Sequence, residues 1–184
     1  MNRSNLVRGR RGLSQVVTTL ILLVISILMA SGTVAYYGIA VTSSSLKQEQ
    51  LVIREAHVWV NASGAQAALR VENIGGRDAL IDAVEIRYVE APWTSVYHAA
   101  AAADGGLTPA QGMNITGPFS HAVGDTTLNF TQASGSIVLP VGEEIILYID
   151  QPDSITVDDI GDAITIMVYT SSNQYLALVD VETA

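Results

Sequence analysis

Four asparagines stand two residues before a serine or threonine, with no proline between them: Asn2-Arg3-Ser4, Asn61-Ala62-Ser63, Asn114-Ile115-Thr116 and Asn129-Phe130-Thr131. That spacing is the acceptor pattern for an N-linked glycan, in which the side-chain nitrogen carries the sugar. A second constellation is acidic: Asp150, Asp153, Asp158, Asp159 and Asp162 crowd one stretch. Oxygen ligands at such density suit Ca²⁺. The ligand order of an EF-hand loop is absent, however, and turn and cap acids on a solvated edge are the expectation. His57, His98 and His121 lie far apart without a His-x-x-x-His pair, so no metal is assigned. The sequence has no cysteine, no Gly-x-Ser-x-Gly elbow and no phosphate-cradling glycine loop. Cysteine nucleophiles, zinc ribbons and disulfides are thereby excluded. The expectation is a chain with no catalytic residues and no cofactor.

The elements that must position these residues divide the chain in two. Leu13 to Leu46 contains no charged residue and no proline, and its apolar density is highest from Val16 to Met29. At about 1.5 Å per residue, roughly 20 helical residues cross the roughly 30 Å hydrocarbon core of a bilayer. A single continuous helix is expected, with Thr42-Ser43-Ser44-Ser45 as a soft joint and Leu46–Gln50 as a brief continuation. Small residues Ser26, Ala30, Ser31, Gly32, Thr33 and Ala35 would let another helix approach closely.

Charge is segregated around this segment. Arg3, Arg8, Arg10 and Arg11 precede it, while all 18 acidic residues follow it and bring the chain to a net −9. Arginines before an apolar span place the N-terminus in the cytoplasm and the remainder outside; on that topology Asn2 is on the wrong side to be glycosylated, leaving Asn61, Asn114 and Asn129 as acceptors. Clustered basic residues are absent beyond the leader, so no nucleic-acid partner is expected.

From Leu51 the apolar period becomes two. Leu69 and Val71 read as inward against outward Arg70 and Glu72. Leu80–Val89 reads as one strand with Val84, Ile86 and Tyr88 on one side. Further strands are expected at 127–131, 135–139, 144–149, 163–170 and 175–181, about eight in all, as in an all-β sandwich. Residues 91–126 read as irregular, and a loop that long is usually functional or mobile. Trp59 reads as core, whereas Trp93 and Tyr97 beside that loop read as surface contacts.

Arg10-Arg11-Gly12-Leu13-Ser14-Gln15-Val16-Val17, followed by the apolar helix, resembles the class III signal peptide of archaeal type IV pilins. Arg8, Arg10 and Arg11 match the basic cluster of that leader. The resemblance implies cleavage by a prepilin peptidase between Gly12 and Leu13, with the helix retained. It implies an α+β fold shaped as a lollipop: a basic leader (1–12), a long hydrophobic N-terminal helix (13–50) and an extracellular, immunoglobulin-like β-sandwich head (51–184). It also implies a membrane-inserted precursor that the pilus assembly machinery polymerises with identical subunits into a cell-surface filament for adhesion. Leu13, Val16, Val17, Leu20, Ile21, Leu23, Val24, Ile27, Leu28 and Val34 would form the filament core. The chain has Val17 where bacterial pilins carry a glutamate, and it lacks the acidic residue archaellins usually show near that point. The alternatives are an archaellin of a motility filament, a singly anchored β-sandwich binding protein, or a secreted domain cut near Thr33-Val34-Ala35.

Overall fold

The computed structural model describes residues 4–45, 48–100 and 103–184, with helix side chains described from Gln15 to Val41. The chain divides into two units, Met1–Ser45 and Leu46–Ala184.

The first unit is one α-helix, α1 (Ser4–Ser45). It begins within the basic leader and passes through Gly12 without a break. The helix forms because nothing interrupts it: it has no proline, and its serine and threonine hydroxyls bond back to the turn before. Ser26 Oγ donates to Leu22 O at 2.7 Å, Ser31 Oγ to Ile27 O at 2.8 Å and Thr33 Oγ1 to Met29 O at 2.7 Å. Such back-bonding satisfies polar groups without water, as an apolar solvent requires.

The second unit is all-β. Its strands are β1 (Leu51–Asn61), β2 (Gly64–Asn73), β3 (Ala79–Ile86), β4 (Val89–Glu90), β5 (Val96–Ala100), β6 (Phe119–Val123), β7 (Thr126–Gln132), β8 (Ile137–Leu139), β9 (Glu144–Asp150), β10 (Ala163–Thr170) and β11 (Gln174–Thr183). They hydrogen-bond in the order β4-β3-β10-β11-β1-β2-β9-β5-β7-β6, with β8 on the free side of β3. Every pairing is antiparallel except the seam between β1 and β11, where Val58, Trp59 and Val60 face Val181, Glu182 and Thr183 in parallel register.

This sheet folds across that seam into a sandwich. Ala67, Leu69 and Val71 of β2 and Ile145, Leu147 and Ile149 of β9 share one core with Ile81, Val84 and Ile86 of β3 and Ile164, Ile166 and Val168 of β10. The fold class is therefore α+β, an apolar N-terminal helix followed by a β-sandwich.

A second core lies on the other face of β2 and β9. Trp59, Ala68, Tyr97, Ile146 and Tyr148 are capped there by Leu107, Ala110, Met113 and Ile115 and by Phe119 and Phe130 of the β6–β7 hairpin. Phe119 stacks on Phe130 at 4.8 Å, and Phe130 meets Tyr148 edge-on at 5.1 Å. The sheet of β1, β2, β9 and β5 is thus buried on both sides.

Four expectations change. Residues 91–126 contain β5 and β6, and residues 103–118 between them are packed, because their apolar side chains fill the second core. Tyr97 is 3 % exposed within that core, and Trp93 packs half-buried against the first; both pack into the interior where surface contacts were expected. The strand expected to reach Val89 ends at Ile86: Arg87 and Tyr88 turn at φ 52° and 66°, leaving Tyr88 74 % exposed. Leu46 and Lys47, expected to extend the helix, lie outside the described residues, and Gln48–Gln50 are not helical.

Candidate functional site

The candidate with the most physical content is α1. From Gln15 to Val41 it is long and apolar enough to cross a membrane, with a mean hydropathy of 2.3 and none of that span buried in the chain. Val16, Val17, Leu20, Ile21, Leu23, Val24, Ile27, Leu28 and Val34 are all exposed. These nine cover about half of the circumference; Leu22, Ile25, Met29 and Tyr37, also exposed, fill the rest, so no single packed face accounts for the apolar surface. A Cβ added at Gly32 or Gly38 would meet nothing within 4 Å. Each glycine weakens the helix by about 1 kcal/mol relative to alanine, and no close approach within the chain explains either. Gly12 and Leu13 lie in the helical backbone; the side chains of Arg8, Arg10, Arg11 and Leu13 lie outside the described residues.

The three asparagines of the Asn-x-Ser/Thr sequences in the β unit sit apart from one another. Asn61 ends β1, and its Oδ1 accepts from Ser63 N at 2.7 Å, which closes the turn into β2. Asn114 is exposed just after the 3₁₀ turn Gln111–Met113. Asn129 is exposed on β7, where its Oδ1 accepts from Ser120 Oγ on β6 at 2.6 Å.

The acidic stretch works as caps and clasps. Asp159 accepts from Thr156 N at 2.8 Å and from Thr156 Oγ1 at 3.0 Å, and it pairs with Arg87. The Arg87 hydrogen bond, with Thr156, holds the Asp159 carboxyl below its ordinary range. Asp150 is buried and accepts from Ile115 N at 3.1 Å. Burial pushes its carboxyl up, against the pull of Ile115 and Gln66. Among the described residues, no three His, Asp or Glu converge as a metal site.

The histidines do not meet either. His57 lies 3.3 Å from both Glu55 and Glu182 and stacks on Trp59 at 5.3 Å. His121 Nε2 is 3.0 Å from Thr108 Oγ1. Burial lowers the pKa of His98 and of His121.

A polar network that the alternation rule concealed fastens residues 103–118 to the sheet. Arg70 points from β2 toward the second core, with its side chain 11 % exposed. It donates to Ala103 O at 2.6 Å and to Gly105 O. Glu55 lies 3.4 Å and Glu144 3.6 Å from its guanidinium. Glu55 Oε1 also accepts from Leu107 N at 2.9 Å. Gln66 exchanges two hydrogen bonds with the backbone of Ala110, at 2.7 and 3.2 Å, and Tyr148 Oη donates to Thr108 O at 2.7 Å. Burial raises the Glu144 carboxyl and pushes the Tyr148 hydroxyl up to about 12. The signal for this network was the unbroken run Ile145-Ile146-Leu147-Tyr148-Ile149. A strand apolar on both faces is covered on both faces, so its neighbour β2 cannot point Arg70 into open water.

These arrangements tie one stretch of backbone to another. No family model and no curated protein matches the chain.

Proposed function

We propose that this chain is a structural subunit of an archaeal type IV-like surface filament, with adhesion rather than catalysis as its role. The observation that carries the proposal lies in α1: an apolar span, Gln15–Val41, exposed on every side and preceded by Arg10-Arg11-Gly12-Leu13. Such a surface is tolerated in lipid or among other apolar helices, and not in water. In the proposed sequence of events the precursor spans the membrane with its N-terminus in the cytoplasm. A prepilin peptidase cuts between Gly12 and Leu13. Assembly machinery then transfers the helix from lipid into a core of identical helices, leaving the β unit outside. Relative to exposure in water, each large aliphatic side chain buried there contributes about 1.5–3 kcal/mol. Gly32 supports close helix approach, since a Cβ there would meet nothing within 4 Å. Asn61, Asn114 and Asn129 are the proposed glycan acceptors on the outer surface.

The deciding experiment is the N-terminal sequence of the mature chain, with electron microscopy of material sheared from cells. A start at Leu13 and filaments that disappear in Gly12→Arg are expected. Filaments of normal length from Gly12→Arg would overturn the proposal. Intact mass of the same material reads the glycans: a single unmodified mass removes that part alone.

One observation favours a second reading, a β-sandwich binding protein tethered by an uncut anchor. Gly12-Leu13 lies inside continuous helix, where its amide is hydrogen-bonded and less open to a peptidase than an extended junction. A mature chain that begins at Met1 would select this alternative.

A further inference from the structure

Only Leu46 and Lys47 separate the end of α1 from a segment strapped to the β unit. Gln48 O accepts from Gly76 N at 3.0 Å and Gln50 O accepts from Ile74 N at 2.9 Å. Between them Glu49 turns inward, 4 % exposed. Its carboxylate lies 3.3 Å from Arg77 Nη2, and its carbonyl accepts from Tyr175 Oη at 3.3 Å. Arg77 reaches on to Ser172 Oγ. Gly75 makes the strap possible, since a Cβ there would sit 2.7 Å from Gln48 O and closer still to Gln50 N. Buried Asn73 holds the turn from behind: its Nδ2 donates to Arg77 O and to Leu139 O, each at 2.9 Å, and its Oδ1 accepts from Gly75 N at 3.0 Å. So many bonds on three residues of connecting chain exceed what a flexible tether requires.

The strap leads into β1, which is paired with β2 from Leu51 to Asn61 and with β11 at Val58–Val60. The seam is parallel. Tension that enters at Gln48 pulls β1 backward along its own axis, while β11, restrained by the rest of the domain, is drawn the other way. Parallel strands loaded at opposite ends slide past each other, so their hydrogen bonds must fail together. The same strands loaded at one shared end would be peeled apart one bond at a time.

We propose that the Gln48–Gln50 strap and the parallel β1–β11 seam form a mechanical clamp, which takes tension arriving through the apolar helix and resists it in shear. The clamp acts alike whether lipid or neighbouring helices hold the helix, so it stands or falls independently of the filament assignment.

The test uses the full chain in detergent micelles. Because the sequence has no cysteine, engineered pairs are its only thiols for attaching handles in an optical trap. Val41→Cys with Ala184→Cys loads the seam from opposite ends. Val41→Cys with Ser171→Cys, in the turn entering β11, loads it from one end. The β unit is expected to yield at a force about twofold or more higher in the first geometry. Equal or lower force there overturns the seam. Arg77→Gln is expected to lower the unfolding force of the first pair, and of the second as well, since Arg77 ties Glu49 to Ser172 beside the second handle. An unchanged force in the first pair overturns the strap. Should Arg77→Gln fail to fold, Tyr175→Phe, which removes only the hydroxyl that donates to Glu49 O, replaces it, and an unchanged force in the first pair again overturns the strap.

Discussion

The guanidinium of Arg70 donates to the carbonyl of Ala103, 33 residues along the chain, at 2.6 Å. With the carbonyl of Gly105 and the carboxylates of Glu55 and Glu144, it forms a cage of oxygens around a fixed cation. The cation is supplied by β2, and the segment it holds covers the second core. Stability and the order of residues 103–118 are therefore coupled through one side chain.

Arg70→Ala leaves the carbonyls of Ala103 and Gly105 without their donor and the Glu55 and Glu144 carboxylates without their counter-charge. Breaking a buried pair in this way costs about 3–5 kcal/mol. Chemical denaturation is expected to show a loss of that size, and hydrogen exchange to show faster opening of 103–118 than of β10. Arg70→Lys restores a charge but not a planar fork, so it is expected to recover less than half of the loss.

Asp150 gives a pH dependence whose sign follows from burial. Its carboxyl is held above the ordinary 3.8, so the folded protein takes up the proton more readily than the unfolded chain. Stability relative to Asp150→Asn is expected to rise as pH falls from neutral through the raised value, and to level off below about 3.8. His98 has the opposite slope, since its lowered pKa removes stability as pH falls through 6.5. Thermal unfolding of the wild type, Asp150→Asn and His98→Gln across this range separates the two.

Gly105 and Gly124 approach each other closely: a Cβ on Gly105 would overlap the Gly124 backbone. The residues that would have to move are main chain on both sides. Gly105→Ala is expected to cost about 1–3 kcal/mol. Gly117→Ala, whose added carbon meets nothing within 4 Å, is the control and is expected to stay within about 0.5 kcal/mol of the wild type. Denaturation midpoints of the two variants provide the comparison.

Leu23 lies near the middle of Val16–Met29, where apolar density is highest. An aspartate at a helix centre costs about 2.5–3.5 kcal/mol on insertion scales. Leu23→Asp is expected to lower the fraction of chain that resists carbonate extraction from membranes, while Leu23→Ile leaves it unchanged.

The helix and the sandwich were legible because their signals are periodic and local. Residues 13–46 lack charge and proline, and strands such as 163–170 were placed at their observed bounds. The β3–β4 turn was not legible, since Arg87 and Tyr88 adopt positive φ without the glycine or asparagine that announces such a turn. Their conformation is held from afar, by the Arg87–Asp159 pair. The cover over the second core was hidden for a related reason. Ala103, Leu107, Ala110, Met113 and Ile115 have no shared period, because they plug a surface as an irregular strand of backbone held by Arg70, Gln66 and Tyr148. The inward role of Asn73 and Glu49 was likewise invisible, since each is fixed by partners distant in sequence.

The position of β11 in the sheet has a consequence for how the molecule is made. It is the last of the eleven strands in the chain, yet it lies between β10 and β1 and joins the two leaves of the sandwich. During synthesis the first strand must wait for the last, and the contact that closes the fold spans almost the whole β unit. Pairings so distant in sequence form slowly. Until Val181 arrives at Val58, the edges of β1 and β10 stand open to strands of other chains. A nascent β unit therefore depends on spacing from its neighbours, a demand on biogenesis that disappears once the seam has closed.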